Sequence, residues 1–159
     1  MYGGIDVTGM AIETVMLALG HTDSERIDEL TETVIDIAGA TGASVVLSHV
    51  FTPEEYDNAT ERLDFSDPAD ADVDEVTSRL SIVRDVKDSL DDAGIDYRIT
   101  GRIGEHGARI VDLATDEGAD HLIVGGRRRS PTGKAVFGST AQHVLLESPC
   151  PVTFVRGDH

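Results

Sequence analysis

Apolar residues in this chain fall in short blocks separated by amphipathic stretches, and that alternation is its clearest structural signal. Thr14 to Leu19 (TVMLAL) is an unbroken apolar run stopped by Gly20, the pattern of a strand covered on both faces. Thr22-Asp23-Ser24-Glu25 then offers helix caps at capping-box spacing, and Ile27, Leu30, Val34 and Ile37 share one helical face before Gly39 and Gly42. Ser44 to Val50 (SVVLSHV) reads as a second buried strand. Phe51 to Val73 is acidic, proline-punctuated and weakly periodic, and reads as a loose insert. Val76, Leu80, Val83 and Leu90 predict one helix closing at Gly94, followed by a third strand through Tyr97, Ile99 and Ile103. Ile110, Val111 and Ala114 mark a short helix ended by Gly118. His121 to Val124 is a fourth strand, Ser139 to Glu147 a short helix, and Pro151 to Arg156 a last strand after a proline-bounded turn.

Five strands alternating with four helices predict an α/β fold: an open, doubly wound, five-stranded parallel sheet with right-handed crossovers and helices on both faces. The 159 residues suit one domain, over residues 11–159. Residues 1–10 carry three glycines and read as a loose N-terminal arm, with Met10 a second candidate start. No run of 18 apolar residues occurs and the N-terminus lacks a leader pattern, so a cytoplasmic location is expected, with no membrane partner.

Charge sharpens this picture. The chain has 30 acidic and 13 basic residues, a net charge of −17. The acid is spread along the whole sequence, and only two of the bases, Lys87 and Lys134, are lysines. Such a surface repels nucleic acid and anionic membranes, which are bound through clustered Lys and Arg. It suits concentrated salt, where a Debye length of roughly 3 Å screens the self-repulsion. An acidic protein of ordinary salinity is the other reading.

Against that background one window stands out. Gly125-Gly126-Arg127-Arg128-Arg129-Ser130-Pro131-Thr132-Gly133-Lys134-Ala135-Val136-Phe137-Gly138-Ser139-Thr140 contains four bases and no acid, which leaves nine bases against 30 acids elsewhere. It follows the fourth strand, and open parallel sheets bind ligands beyond the carboxyl ends of their strands. Glycines admit backbone N–H groups to phosphate oxygens, hydroxyls at a helix start add donors, and the helix dipole favours an anion. The other explanation is a glycine-rich turn whose arginines pair with surrounding carboxylates.

Gly125, the nine residues between Arg128 and Gly138, and Gly138-Ser139 resemble the nucleotide loop of the universal stress protein family, with Arg128 where that pattern has its second glycine. The similarity runs from Thr14 through Ser44–Val50 to Pro149-Cys150-Pro151-Val152-Thr153-Phe154-Val155, and identifies the chain as an acidic, haloarchaeal-type member of the UspA-like kind. The resemblance implies strand order 3-2-1-4-5 and a homodimer through the C-terminal strand. It implies a non-catalytic stress-response role with ATP, with magnesium, or a related phosphorylated nucleotide as ligand. By matching, Ala18, Gly20, Val50 and Val124 would border adenosine, and Gly125, Gly126, Arg128, Gly138, Ser139 and Thr140 would surround phosphate. ATP-binding relatives carry an aspartate after strand one, where this chain has Gly20. Arg128 would either fill the phosphate space or grip the phosphate bidentately.

Gly20 and Arg128 therefore also fit a family member that binds no nucleotide and serves as a dimerisation or interaction module. A slow nucleotide hydrolase is a third reading, and it lacks an obvious base. No Gly-x-Ser-x-Gly, His-Glu-x-x-His, Cys-x-x-Cys or Walker Gly-x-x-x-x-Gly-Lys-Ser/Thr motif occurs. His49 and His121 are expected to be packed ring residues rather than metal ligands, Glu105-His106 a solvated helix cap, and Cys150 a small core filler.

Overall fold

The computed structural model describes residues 11–65, 71–126 and 138–157. Five parallel strands, β1 (Thr14–Leu19), β2 (Ser44–Phe51), β3 (Tyr97–Ile103), β4 (His121–Gly126) and β5 (Val152–Arg156), form one sheet in the order β3-β2-β1-β4-β5. The expected strand order is therefore the observed one. β1 lies at the centre, pairing with β2 from Thr14↔Ser44 to Leu19↔His49 and with β4 from Val15↔His121 to Ala18↔Val124.

Alternation along β1 decides which helix covers which face. Val15, Leu17 and Leu19 pack with Leu30 and Val34 of α1 (Ile27–Thr41) and with Val83, Val86 and Leu90 of α4 (Ser81–Ala93). Met16 and Ala18 point the other way, to Ile110 and Leu113 of α5 (His106–Asp116) and Val144 of α6 (Ser139–Glu147). Helices α1 and α4 end on Gly42 and Gly94, both left-handed, where a Cβ would be strained. Cys150 is half-buried against the second face, and burial pushes its thiol pKa up. Among the described residues no helix is long and apolar enough to cross a membrane.

The segment read as a loose insert contains a helix among its described residues. Residues Pro53–Arg62 form α2, started by a full capping box in which Glu55 N–H donates to Thr52 Oγ1 and Thr52 N–H donates to Glu55 Oε1. Its apolar face is only Tyr56 and Ala59, too small to register as a periodic stripe in so acidic a sequence. The single helix expected around Val76–Leu90 is two: α3 (Val73–Ser78), then α4, because Leu80 adopts an extended backbone to bury its side chain. The arm at residues 1–10, Met10 included, and the loop 127–137, with Arg127, Arg128, Arg129 and Lys134, lie outside the described residues.

Helix α3 exists to cover an edge. β3 borders only β2, and an open edge offers unpaired N–H groups to any passing strand. Asp74 of α3 accepts from Gly101 N–H at 2.8 Å and from Thr100 Oγ1 at 3.3 Å. The approach needs Gly101, since a Cβ there would run into Thr77 Oγ1 and lie 3.1 Å from the Val73 carbonyl oxygen. On β2, buried His49 has Nδ1 2.6 Å from the Leu19 carbonyl oxygen, so Nδ1 carries the proton and donates. Burial chiefly holds the His49 pKa below 6.5, the Leu19 hydrogen bond opposing it.

Two outcomes follow. Gly101→Ala should destabilise the protein by about 1–3 kcal/mol through overpacking against α3, read as a lower denaturation midpoint. Because His49 protonates less readily folded than unfolded, its contribution to stability is complete above about pH 6.5 and falls as pH drops toward the depressed folded value. His49→Gln should flatten melting temperature against pH in that window, and an unchanged slope would assign the dependence to other groups.

Candidate functional site

Five segments converge where the sheet's carboxyl edge splits between β1, which continues toward β2, and β4, which continues toward β5. The cleft there is lined by the end of β1 and its following turn, by Val50 of β2, by the end of β4, and by the starts of α5 and α6. Its floor and walls are Ala18, Val50, Val124, Ile110 and Val144, which make an apolar slot. The polar groups sit at its mouth: Gly20, His21, Thr22 and Asp23 on one side, Gly125 and Thr140 on the other.

The turn after β1 supplies the feature that residue matching missed. Gly20 carries no acid, but the chain doubles back in a 3-10 turn (Asp23–Arg26), and Gly20 N–H donates to Asp23 Oδ2 at 2.7 Å. A carboxylate therefore does stand beside the strand end, contributed from three residues later. It is 4% exposed, and its Oδ1 accepts from the guanidinium of Arg26, itself 3% exposed. A buried pair of this kind tolerates no loss of one partner, because the other charge would be left uncompensated, at roughly 3–5 kcal/mol. Among the described residues Arg26 Nε has no hydrogen-bond partner. Spacing alone could have flagged Asp23, since an acid three residues after a strand-ending glycine can fold back onto that glycine's N–H.

Gly125 has a steric reason as well as a positional one. A Cβ there would lie 2.9 Å from both Arg26 Cδ and Asp23 Oδ1, so the glycine is the floor on which the ion pair rests. Gly126 sits outside the cleft, paired with Arg156 of β5, and the space of its missing Cβ is filled by the Phe154 ring 2.6 Å away. Gly138 is the N-cap residue of α6 in an extended conformation, Ser139 opens the helix on its exposed side, and no side chain caps that end nor does an acid stand in its first turn. Of the ten residues named from sequence, Ala18, Gly20, Val50, Val124, Gly125 and Thr140 line the cleft; Gly126, Gly138 and Ser139 do not, and Arg128 is outside the described residues.

A second group of side chains, unforeseen as a group, closes the β2 side. His106, the first residue of α5, is not a solvated cap, for its Nε2 lies 2.7 Å from Glu55 Oε1, the oxygen that also accepts from Thr52 N–H. Glu55 Oε2 is 3.8 Å from His21 Nδ1. Burial by itself would raise the Glu55 pKa; the Thr52 N–H and the two histidines outweigh it and hold the carboxyl below its ordinary range. Across the sheet, His121 Nε2 is 2.6 Å from Thr153 Oγ1, a packed ring as expected.

The universal stress protein family model matches residues 12–156. A universal stress protein of Mycolicibacterium smegmatis is 39% identical over 88 residues, 55% of this chain and 68% of that protein. Among solved structures, a universal stress protein in complex with cAMP superposes with a TM-score of 0.61 at 23% identity, over 93% of this chain and 99% of that one. A family protein from Arabidopsis thaliana with AMP bound gives 0.60 at 16% identity, over 92% of each chain. The universal stress protein from Archaeoglobus fulgidus in complex with dAMP gives 0.53 at 19%, over 91% of this chain and 98% of that one. The structural likenesses speak for the fold, and the sequence match over nearly the whole sheet speaks for descent: this chain belongs to the universal stress protein family.

Proposed function

We propose that this protein is a non-catalytic stress-response regulator that binds ATP or a related adenine nucleotide in the cleft between β1 and β4 and works as a homodimer. The observation that carries this reading is the cleft itself: an apolar slot ending in a carboxylate on one side and an uncapped helix N-terminus on the other. A purine fits between Ala18, Val50 and Val124, where burial of a flat apolar face drives binding. Asp23, with Oδ2 held by Gly20, is the acceptor nearest a sugar hydroxyl. Phosphate then extends toward the start of α6, where Thr140, Ser139 and free backbone N–H groups meet the positive end of the dipole. The arginines of the glycine-rich loop add charge in sequence terms. That the solved relatives named above hold cAMP, AMP and dAMP supports the same ligand class.

Binding without turnover is supported by how the titratable groups at the cleft are already engaged. Asp23 is held by Gly20 and Arg26, His106 by Glu55, and His21 stands 3.8 Å from the same carboxylate. Asp23 is the single carboxylate among the described residues that line the cleft, and both its oxygens are already taken up. Among the described residues no group of three His, Cys, Asp or Glu side chains is gathered to hold a metal, so magnesium would arrive on the nucleotide phosphates.

For the dimer, β5 is the sheet's second edge, and Val152, Thr153 and Phe154 on it are half-buried. Pairing with the same strand of a second copy would satisfy that edge.

Calorimetric titration of nucleotide-stripped protein with ATP and AMP, with and without magnesium in molar potassium chloride, should show saturable binding. Ser139→Ala should weaken ATP by about 1 kcal/mol, near fivefold, with AMP affected less. Absence of binding in folded protein would overturn the nucleotide reading and leave an interaction module. Sedimentation equilibrium should give twice the chain mass, and a monomer at all concentrations would remove the β5 pairing.

A further inference from the structure

The cleft between β1 and β4 has a larger neighbour. On the opposite face of the sheet, between α2, the start of α4 and the carboxyl ends of β1 and β2, lies a second cleft of about 700 Å3, within the size range of small-molecule sites. Its charge runs against the rest of the molecule. Acids make up 30 of the 159 residues, yet Glu55 is the single acid among the 14 described residues that line it, and Arg62, Arg79 and Arg84 are three of the others. The Glu55 carboxylate is taken up by Thr52 N–H and His106, so it does not neutralise them.

The arginines differ in how far they are engaged. Arg79 is bonded to Glu75 at 2.8 Å, with its guanidinium 4.7 Å over the Phe65 ring, which fixes its plane. The exposed side chains of Arg62 and Arg84 make no ion pair or hydrogen bond to any described residue, whereas most of the other described arginines find a carboxylate. One further feature suits an anion, and a second suits a hydroxyl donor beside it. Ser81 and Ile82 bring the N-terminus of α4 into the cleft, with no side-chain cap on it and no acid in its first turn. His49, 6% exposed, also lines the cleft. Its proton sits on Nδ1, which leaves Nε2 as an acceptor with no partner among the described residues.

We propose that this cleft is a second ligand site, for a small hydroxylated phosphate monoester, whose phosphate is held by Arg62, Arg84 and the free edge of Arg79 and whose hydroxyl donates to His49 Nε2. Guanidinium groups fit a phosphate dianion bidentately, and a neutral histidine acceptor rejects a ligand that is anionic throughout. The site touches the nucleotide cleft through His21, which lines both, and through Glu55, which grips His106 on the other side. It does not depend on a nucleotide being bound there.

The probe is glycerol 3-phosphate, titrated by calorimetry into the full chain at constant ionic strength, with circular dichroism confirming the fold of each variant. Saturable binding is expected, reduced at least tenfold in the Arg62→Gln/Arg84→Gln double variant and unchanged in Ser139→Ala. His49→Gln should weaken glycerol 3-phosphate more than inorganic phosphate. Equal affinity in wild type and the double variant would overturn the proposal. Binding lost in Ser139→Ala instead would also overturn it, by moving the phosphate to the start of α6. Because the arginine pair and Ser139 lie on opposite faces, failure of this site and failure of the nucleotide site read out separately.

Discussion

The burial of β1 on both faces is the constraint from which the rest of the molecule follows. Val15, Met16 and Leu17 are fully excluded from solvent, and a strand in that position can satisfy its N–H and C=O groups only by pairing on both sides. Parallel neighbours require crossovers long enough to return to the sheet's starting edge, and those crossovers are the helices that cover its faces. All five strands therefore end on one side. The residues with chemical potential, from Gly20 and Asp23 to Val50, His106, Gly125 and Thr140, are delivered there together although they span most of the chain.

At that edge, small backbone decisions set the chemistry. Asp23 turns back to Gly20 because an uncapped N–H at a strand end needs an acceptor, and the same carboxylate then fixes Arg26 beneath Gly125. The pair links the turn after β1 to the end of β4. Glu55 acts similarly on the other side, where one carboxylate caps α2 and holds α5 through His106. Two clefts on opposite faces of the sheet thus share walls, and His21 belongs to both.

The net charge of −17 hides an uneven distribution. Among the described residues many acids sit on exposed helix surfaces and at helix starts, as in the first turns of α1, α2 and α3. The starts of α4, α5 and α6 have none in their first turns, and all three helices help to line the two clefts. An acidic surface of this kind discourages anions generally and admits them where the acids have been left out.

The strands, their order of appearance and the fold class were legible in the sequence because a strand buried on both faces must be continuously apolar, and Thr14–Leu19 and Ser44–Val50 can be little else. The family resemblance added the strand order and six of the described residues that line the cleft between β1 and β4. What the sequence alone did not reveal rests on contacts between distant segments. Helix α2 is polar on nearly every side and is stabilised by its capping box and by Tyr56 packing into the first core, so hydrophobic periodicity missed it. The break at Leu80 arises because that side chain reaches the core only from an extended backbone. Glu55 joining two histidines 85 residues apart in sequence and three arginines meeting in one cleft are decided by tertiary packing. Each depends on where a side chain is carried by the fold, a distance in space that spacing along the chain does not encode.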